Sequence, residues 1–378
     1  MKFLSLQENL KKGLNIVGHI TTKNINLPIL NNILIKAEDG NIEFISTNLE
    51  IGVVHQVRGK IEEEGKFTVD SKLITEYVSL LNNKETVKLE KKEEENELKV
   101  EAGNYKTKIK GEEAKEFPLI PTIPKDTFYE CDLEGLRKAL NSVVFAVSTS
   151  ENRIELNGIL FLFNGDKLSL VATDSYRLAE RTVEIKTNSK DDEVKIIVPA
   201  KTAQEVLRIL NNISPEDDEV KSKMDVKIYL SDNQILFTVD SIDLISRLIN
   251  GHYPDYKQII PEKTETEVFV DRVELVRAVK AAALFSKTGI NDITLNFINN
   301  KVMVSSFSGQ SGESQVEIEA EIKGPDNEMT VNFRYLLDGL NNIESDRVNL
   351  GVINNNTPCL MRPEKENGYL YIVMPIKQ

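Results

Sequence analysis

The stretch Ile33-Leu34-Ile35-Lys36-Ala37-Glu38-Asp39-Gly40-Asn41-Ile42-Glu43-Phe44-Ile45 alternates apolar and polar residues on both sides of an Asp-Gly pair. Alternation of that kind marks a strand, and Asp-Gly accepts the positive φ that a two-residue hairpin requires. The chain repeats the pattern twice. Ile159-Leu160-Phe161-Leu162-Phe163-Asn164-Gly165-Asp166-Lys167-Leu168-Ser169-Leu170 turns on Asn-Gly, and Ile293-Thr294-Leu295-Asn296-Phe297-Ile298-Asn299-Asn300-Lys301-Val302-Met303-Val304 turns on Asn-Asn. A period this long is a whole domain copied three times, not a solenoid unit.

Around each hairpin lie two amphipathic helices. The spacing predicts first helices over 5–20 (Leu6, Leu10, Leu14, Val17), 133–148 (Leu133, Leu136, Leu140, Val143, Val147, after Asp132 as N-cap) and 271–288. The last is read as capped by Asp271 and burying Val273, Val276, Val279 and Leu284. Second helices are expected at 71–83, 199–213 and 332–343, each after a short strand and before further strands starting near Val87, Val226 and Val348. The fold class is therefore α+β: three tandem, similar domains, each with two helices packed on antiparallel sheet. Two proline-punctuated segments, 117–124 and 253–261, read as extended straps at the boundaries. They give domains 1–126, 127–257 and 258–378.

Composition narrows the function. With 40% hydrophobic and 28% charged residues the chain is an ordinary globular protein. Cys131 and Cys359 lie far apart and outside metal-ligand spacing, which suits a reducing cytoplasmic setting. Only His19, His55 and His252 are present, so a histidine metal site or catalytic triad has little material. Nothing resembles a secretory signal or a membrane span. Ser308-Gly309-Gln310-Ser311-Gly312 lacks the lysine and spacing of a phosphate-binding loop, and no cofactor is expected. The acidic clusters Glu93-Glu94-Glu95 and Glu216-Asp217-Asp218-Glu219 read as solvated loop tips.

Charge is distributed unevenly. The chain carries −13, yet the six helical stretches together carry +5, leaving −18 elsewhere. Lys11, Lys12, Lys72, Arg137, Lys138, Lys201, Arg208, Arg272, Arg277, Lys280, Lys287 and Arg334 supply the cations. Such a chain presents one face to an anion and repels it elsewhere. If the helices stand side by side around a ring at roughly 9 Å, six leave almost no hole. Twelve enclose a bore of roughly 24 Å, enough for a DNA duplex, so two copies of the chain are needed.

Several motifs resemble one family along essentially the whole length: Leu27-Pro28-Ile29-Leu30-Asn31-Asn32, Val171-Ala172-Thr173-Asp174-Ser175-Tyr176-Arg177-Leu178-Ala179, Tyr253-Pro254-Asp255-Tyr256, and the terminal Tyr371-Ile372-Val373-Met374-Pro375-Ile376-Lys377-Gln378. The sequence is similar to the β subunit of bacterial DNA polymerase III, the sliding clamp. The resemblance implies a non-catalytic processivity factor: a head-to-tail homodimer of six similar domains around double-stranded DNA, without sequence specificity. A clamp loader, the replicative polymerase and other proteins carrying clamp-binding peptides would be its partners.

Carried over position by position, the resemblance implies a peptide pocket. One wall is Arg153, Leu156, Thr173, Ser175, Tyr176, Arg177 and Leu178. The other is Pro254, Ile259, Asn332, Tyr335, Ile372, Val373, Met374, Pro375 and Ile376. Lys23 joins the DNA-facing cations, substituting for an arginine familiar where Asn24 stands. Leu284 and Phe285 would meet an edge strand around Lys106, Thr107, Lys108 and Ile109 of the second copy. The chain departs from the pattern at Ser175 and Tyr176, where glycine and histidine are common, at Gln258, where a basic residue is, and at Ile154 and Glu155, where aromatics are. Read without the resemblance, Thr173-Asp174-Ser175 is a turn and Met374 and Val373 are core. An enzyme using Asp174 with Arg177, or Asp240 with Asp243, and a peptide-binding adaptor that never encircles DNA are the rival readings.

Overall fold

The computed structural model describes residues 1–21, 25–92, 95–213, 224–287 and 289–376. Lys23, Asn24, Glu93, Glu94, the 216–219 cluster, Lys377 and Gln378 lie outside them. Among the described residues the α-helices are α1 (Gln7–Gly18), α2 (Ser71–Ser79), α3 (Leu133–Val143), α4 (Ala200–Asn212), α5 (Arg272–Ala283) and α6 (Phe333–Asn341). Each is shorter than its apolar spacing suggests. Ser5 and Leu6 end the strand Lys2–Leu6, so Leu6 is not on the α1 face, and Val144–Ala146 tightens into a 3₁₀ turn that leaves Val147 outside α3. Asp70, Asp271 and Asn332 cap α2, α5 and α6 by accepting from Leu73, Glu274 and Arg334 backbone N–H groups.

The chain folds into two compact units that cut across the three sequence segments. One contains Met1–Leu133, Lys186–Ser189 and Arg208–Leu248; the other contains Glu134–Ile185, Lys190–Leu207 and Ile249–Gln378. In the first, a 14-stranded antiparallel sheet joins two segments where Ile242–Arg247 pairs with Ile51–Val57, Ser246 opposite Ile51. In the second, a 12-stranded antiparallel sheet joins two segments where Arg177–Glu184 pairs with Tyr369–Val373, Leu178 opposite Ile372. Among the described residues the middle segment thus gives five strands to the first sheet and four to the second.

The three hairpins occur at the expected places, with one shift. Asp39-Gly40 and Asn299-Asn300 both have positive φ at their two central residues. In the second hairpin Asn164 pairs with Lys167, so the turn residues are Gly165-Asp166 and only Gly165 is at positive φ, 57°. The 253–261 strap is not uniformly extended, because Tyr256–Ile259 forms a 3₁₀ turn.

Helix burial follows the periodicity in α1, where Leu10, Leu14 and Val17 are buried. It departs in α5. The buried face is Leu275, Ala278, Val279 and Ala282, while Val273 is 43% and Leu284 76% exposed. Alanines let α5 pack close to the sheet, which rotates the bulkier valine outward.

Candidate functional site

The segment from Tyr371 to Ile376 gathers the site. Arg177 lies opposite Val373 across the sheet, the Met374 N–H donates to Tyr176 O at 2.9 Å, and Ile376 N–H donates to Thr330 O at 2.8 Å. Pro375 bridges Val331, one residue before the Asn332 cap of α6. Residues near 175, 331 and 375 are thereby held together by main-chain pairing.

The Thr173–Arg177 turn is tightly built. Asp174 Oδ1 accepts from the backbone N–H groups of Tyr176 (2.9 Å) and Arg177 (3.0 Å), and Thr173 Oγ1 accepts from Ser175 N–H at 3.1 Å. Ser175 sits at φ 78°, a conformation natural to glycine, and its hydroxyl accepts from Arg153 Nη1 at 3.1 Å. So Asp174 does act as a turn former. It also anchors Arg177, whose Nε donates to Asp174 Oδ2 at 3.0 Å.

Arg177 ties the turn to α6. Its guanidinium donates to Asp338 and, at 2.8 Å, to Phe145 O, and lies 4.8 Å from the Tyr335 ring centroid and 5.5 Å from that of Phe145. With two carboxylates and two rings around it, this arginine is structural cement, not a free ligand hook. The rings of Tyr176 and Tyr335 stack at 6.2 Å between centroids, and Tyr371 Oη donates to Tyr335 O at 2.8 Å. Burial raises the Tyr335 hydroxyl above its ordinary pKa.

An apolar floor lies beside this turn. Leu160, Val171, Leu178, Tyr256, Leu360 and Ile372 form a buried cluster, with Tyr253, Ile260, Leu370 and Met374 packed against it. Of these, sequence reasoning named only Leu178, Ile372 and Met374. Tyr253 and Tyr256 were legible as a motif, but their packing role was not: Tyr253 Oη donates to Val171 O at 3.2 Å and Tyr256 Oη to Glu180 at 3.2 Å. Leu178, Ile372 and Val373 are fully buried. Val373 alternates with Ile372 and faces the other side of the sheet, so it belongs to the core. Met374, Pro375 and Ile376 are half-buried, Ile259 is 36% and Tyr176 61% exposed. Pro254 lies between the two tyrosines of the strap, and Leu156, 1% exposed, closes the turn Ile154–Leu156.

The cations divide into two groups. Lys12, Lys201, Arg277 and Lys280 are exposed, and Lys11 is half-buried. Lys72 pairs with Glu76 at 3.8 Å, Arg137 with Glu134, and Lys138 with Glu344 at 3.4 Å. Arg208 and Arg272 are engaged elsewhere, which corrects their reading as surface charges. Arg208 Nη2 donates to Ile16 O (2.7 Å), near the C-terminus of α1. Arg272 donates to Ser345 O (3.0 Å) and Leu340 O (3.4 Å), the latter in the last turn of α6. Ile16 and Leu340 lie in the last turns of α1 and α6, where helix carbonyls generally lack intrahelical donors.

Besides the outermost strands of the two sheets, two further strand edges stand open among the described residues. Tyr105–Glu112 pairs with Gly65–Asp70 only at Gly111 and Glu112, so its 105–110 edge has one neighbour. Lys106, Lys108 and Lys110 are exposed there, Thr107 is half-buried, and Ile109, 2% exposed, points into the core instead of the edge. Leu73 and Leu80, seven residues apart in α2 and at its C-cap, and Tyr105 are 51%, 78% and 48% exposed, a helical spacing of apolar residues that could have signalled an uncovered face. The other edge is Gly312–Glu319, whose exposed residues include Glu313, Glu317 and Glu319. Phe285, half-buried, would contact a side chain added at Gly312.

Comparison with known proteins identifies what this arrangement is similar to. Three family models match in order: the DNA polymerase III beta subunit N-terminal domain over residues 1–121, its central domain over 130–255 and its C-terminal domain over 257–377. The beta sliding clamp of Staphylococcus epidermidis is 30% identical over 361 residues, 93% of this chain and 92% of that protein. The crystal structure of the Bacillus subtilis DNA polymerase sliding clamp has a TM-score of 0.91 at 26% identity, covering 100% of this chain and 99% of that one. The DnaN sliding clamp of Pseudomonas aeruginosa bound to griselimycin has a TM-score of 0.92 at 27% identity, covering 100% of both. The chain belongs to the DNA polymerase III beta subunit family, the sliding clamps.

Proposed function

We propose that the chain is a cytoplasmic processivity factor that closes with a second copy into a head-to-tail ring around duplex DNA and is itself non-catalytic. The observation that carries this reading is the match of three clamp domains, in order, to nearly the whole chain. The segments are taken as 1–126, 127–257 and 258–378. Tethering then works by topology, and the lining cations need only keep the duplex centred. Lys11, Lys12, Lys201, Arg277 and Lys280 are assigned to that lining, with Lys23, Lys72, Arg137 and Lys138 contributing; Arg208 and Arg272 shape it indirectly by holding helices. The acidic remainder of the surface repels DNA. Opening such a ring requires a clamp loader that spends nucleotide elsewhere.

Ring closure is assigned to the open edge at 105–110, with Lys106 and Thr107 and the exposed apolar residues Leu73, Leu80 and Tyr105. It meets the region of Leu284 and Phe285 beside the acidic edge at 312–319. Opposite charges on the two edges favour a heterologous contact over a self-pairing one.

The cleft over Leu178, Ile372 and Met374 is assigned to partner peptides of polymerases and other clamp-binding proteins. Buried leucine or phenylalanine anchors each contribute about 1.5–3 kcal/mol, so two or three, less ordering costs, give roughly micromolar, exchangeable binding. Griselimycin, seen on the P. aeruginosa relative, is a probe for this site. The decisive experiment loads the protein on circular DNA with a loader and then linearises the DNA. A topological tether slides off the ends; retention after cutting contradicts it.

A further inference from the structure

Beyond the cleft, the same face of the 12-stranded sheet carries a second recess. In the strand Tyr369–Val373 the Tyr371 ring faces α6, where a Cβ added at Gly339 would meet it at 2.3 Å. Leu370 and Ile372 therefore point to the opposite face, as side chains alternate. Leu360 lies opposite Ile372, so Arg362, two residues further along its strand, shares that face. Asn349 is opposite Arg362, and Phe269 is opposite Asn349. The cleft floor thus runs without a break into the row Arg362, Asn349 and Phe269.

Two cavities of about 400 and about 300 Å³ open along this row, and both are lined by Asn349 and Arg362. The first also reaches Leu370 and the second Leu360, members of the cleft's apolar packing. Glu364 and Glu366, which line the first cavity, are already paired with Arg347 and Arg181. Arg362 is exposed and has no ion-pair partner among the described residues. Asn349 Oδ1 is buried and accepts no hydrogen bond. A buried acceptor of this kind is one that proteins rarely leave unsatisfied, and the Arg362 donor stands directly across the strand pair from it. The unpaired charges nearly balance: Arg362 against Glu180 in one cavity, and Arg362 and Lys263 against Glu262 and Glu267 in the other. That balance suits a neutral polar ligand.

We propose that this recess binds the amide groups of an extended polar segment flanking the apolar anchors of a partner peptide seated in the cleft. Arg362 donates to an amide carbonyl, and the Asn349 side-chain amide, turned so that Oδ1 faces the cavity, accepts from an amide N–H, of the backbone or of an Asn or Gln side chain. The assignment rests on the cleft reading above. The reach is short. Two strand spacings separate the strands of Ile372 and Asn349, roughly 10 Å, which three or four extended residues span.

The test uses fluorescent synthetic peptides and the full chain, read by anisotropy. One peptide carries only leucine and phenylalanine anchors; two others add four residues containing Gln and Asn at one end or the other. One extended peptide should bind about five- to tenfold tighter than the short one. The gain should vanish in Arg362→Ala and shrink in Asn349→Ala, with short-peptide affinity and thermal melts unchanged. Equal affinity for short and extended peptides, or a gain that persists in both variants, overturns the recess and leaves the cleft standing. A short peptide that does not bind at all overturns the cleft and the recess with it.

Discussion

Acidification should destabilise this protein through His55 more than through any surface group. The side chain is 4% exposed, on the strand Ile51–Val57, and its Nδ1 is buried without a hydrogen-bond partner. It lies against α1, where a Cβ added at Gly13 would come within 3.0 Å of that nitrogen. Burial, helped by the Lys12 cation and opposed by Asp240, lowers its pKa from 6.5 to about 4. The folded state therefore keeps His55 neutral while the unfolded chain takes up a proton below about pH 6.5. The group's contribution is complete above that pH and is lost as pH falls toward 4. At roughly 1.4 kcal/mol per pH unit, the full loss is about 3 kcal/mol. Urea unfolding of wild type and His55→Leu at pH 7.5, 6.5, 5.5 and 4.5 would measure it. Wild type should lose about 2–3 kcal/mol more than the variant over that range. Parallel pH curves, or an imidazole that titrates near 6.5 by NMR, would refute the reasoning.

Met374→Ala should weaken binding of an anchor peptide about tenfold at little cost to stability, whereas Val373→Ala should cost about 1–3 kcal/mol of stability with little direct effect on affinity. Calorimetry and anisotropy on both variants separate them, and identical behaviour would mean the face assignment is wrong. Arg272→Ala should lower stability by about 1–2 kcal/mol through the lost carbonyl contacts while a stable fraction still supports clamp-dependent DNA synthesis. Arg277→Glu with Lys280→Glu should do the reverse, leaving the melt intact and impairing synthesis; unchanged synthesis would mean that α5 does not face DNA. Lys106→Glu with Lys108→Glu should raise the dimer dissociation constant at least about tenfold at low salt and flatten its salt dependence. Sedimentation would read this, and an unaltered dimer would remove the 105–110 edge from the interface.

Much of the local structure was legible because it depends on short-range physics. Alternation around Asp39-Gly40 and Asn299-Asn300 gave both hairpins, and Asp271 was readable as a cap. The second turn shifted by one residue because glycine at its first position satisfies the positive φ alone, so Asn164 could stay in the strand. Residue spacing could not tell which way α5 faces, since valine and alanine both satisfy an apolar stripe and only close packing on the sheet selects between them. Nor could it tell that Arg208 and Arg272 are bound to carbonyls of other helices, because charge on a helix says nothing of what lies within reach.

The sequence by itself determined that one α+β unit is written three times, where two of its three hairpin turns fall and which residues alternate toward a core. Only the tertiary structure decided that the middle segment shares its strands between two sheets, Ser246 beside Ile51 in one and Leu178 beside Ile372 in the other. The reason is that the hydrogen bonds of a strand edge are the same for every residue. Apolar pattern fixes the face a side chain takes, while the choice of neighbouring strand, and with it the meeting of Tyr176, Tyr335 and Met374 at one cleft, waits on the packing of the whole chain.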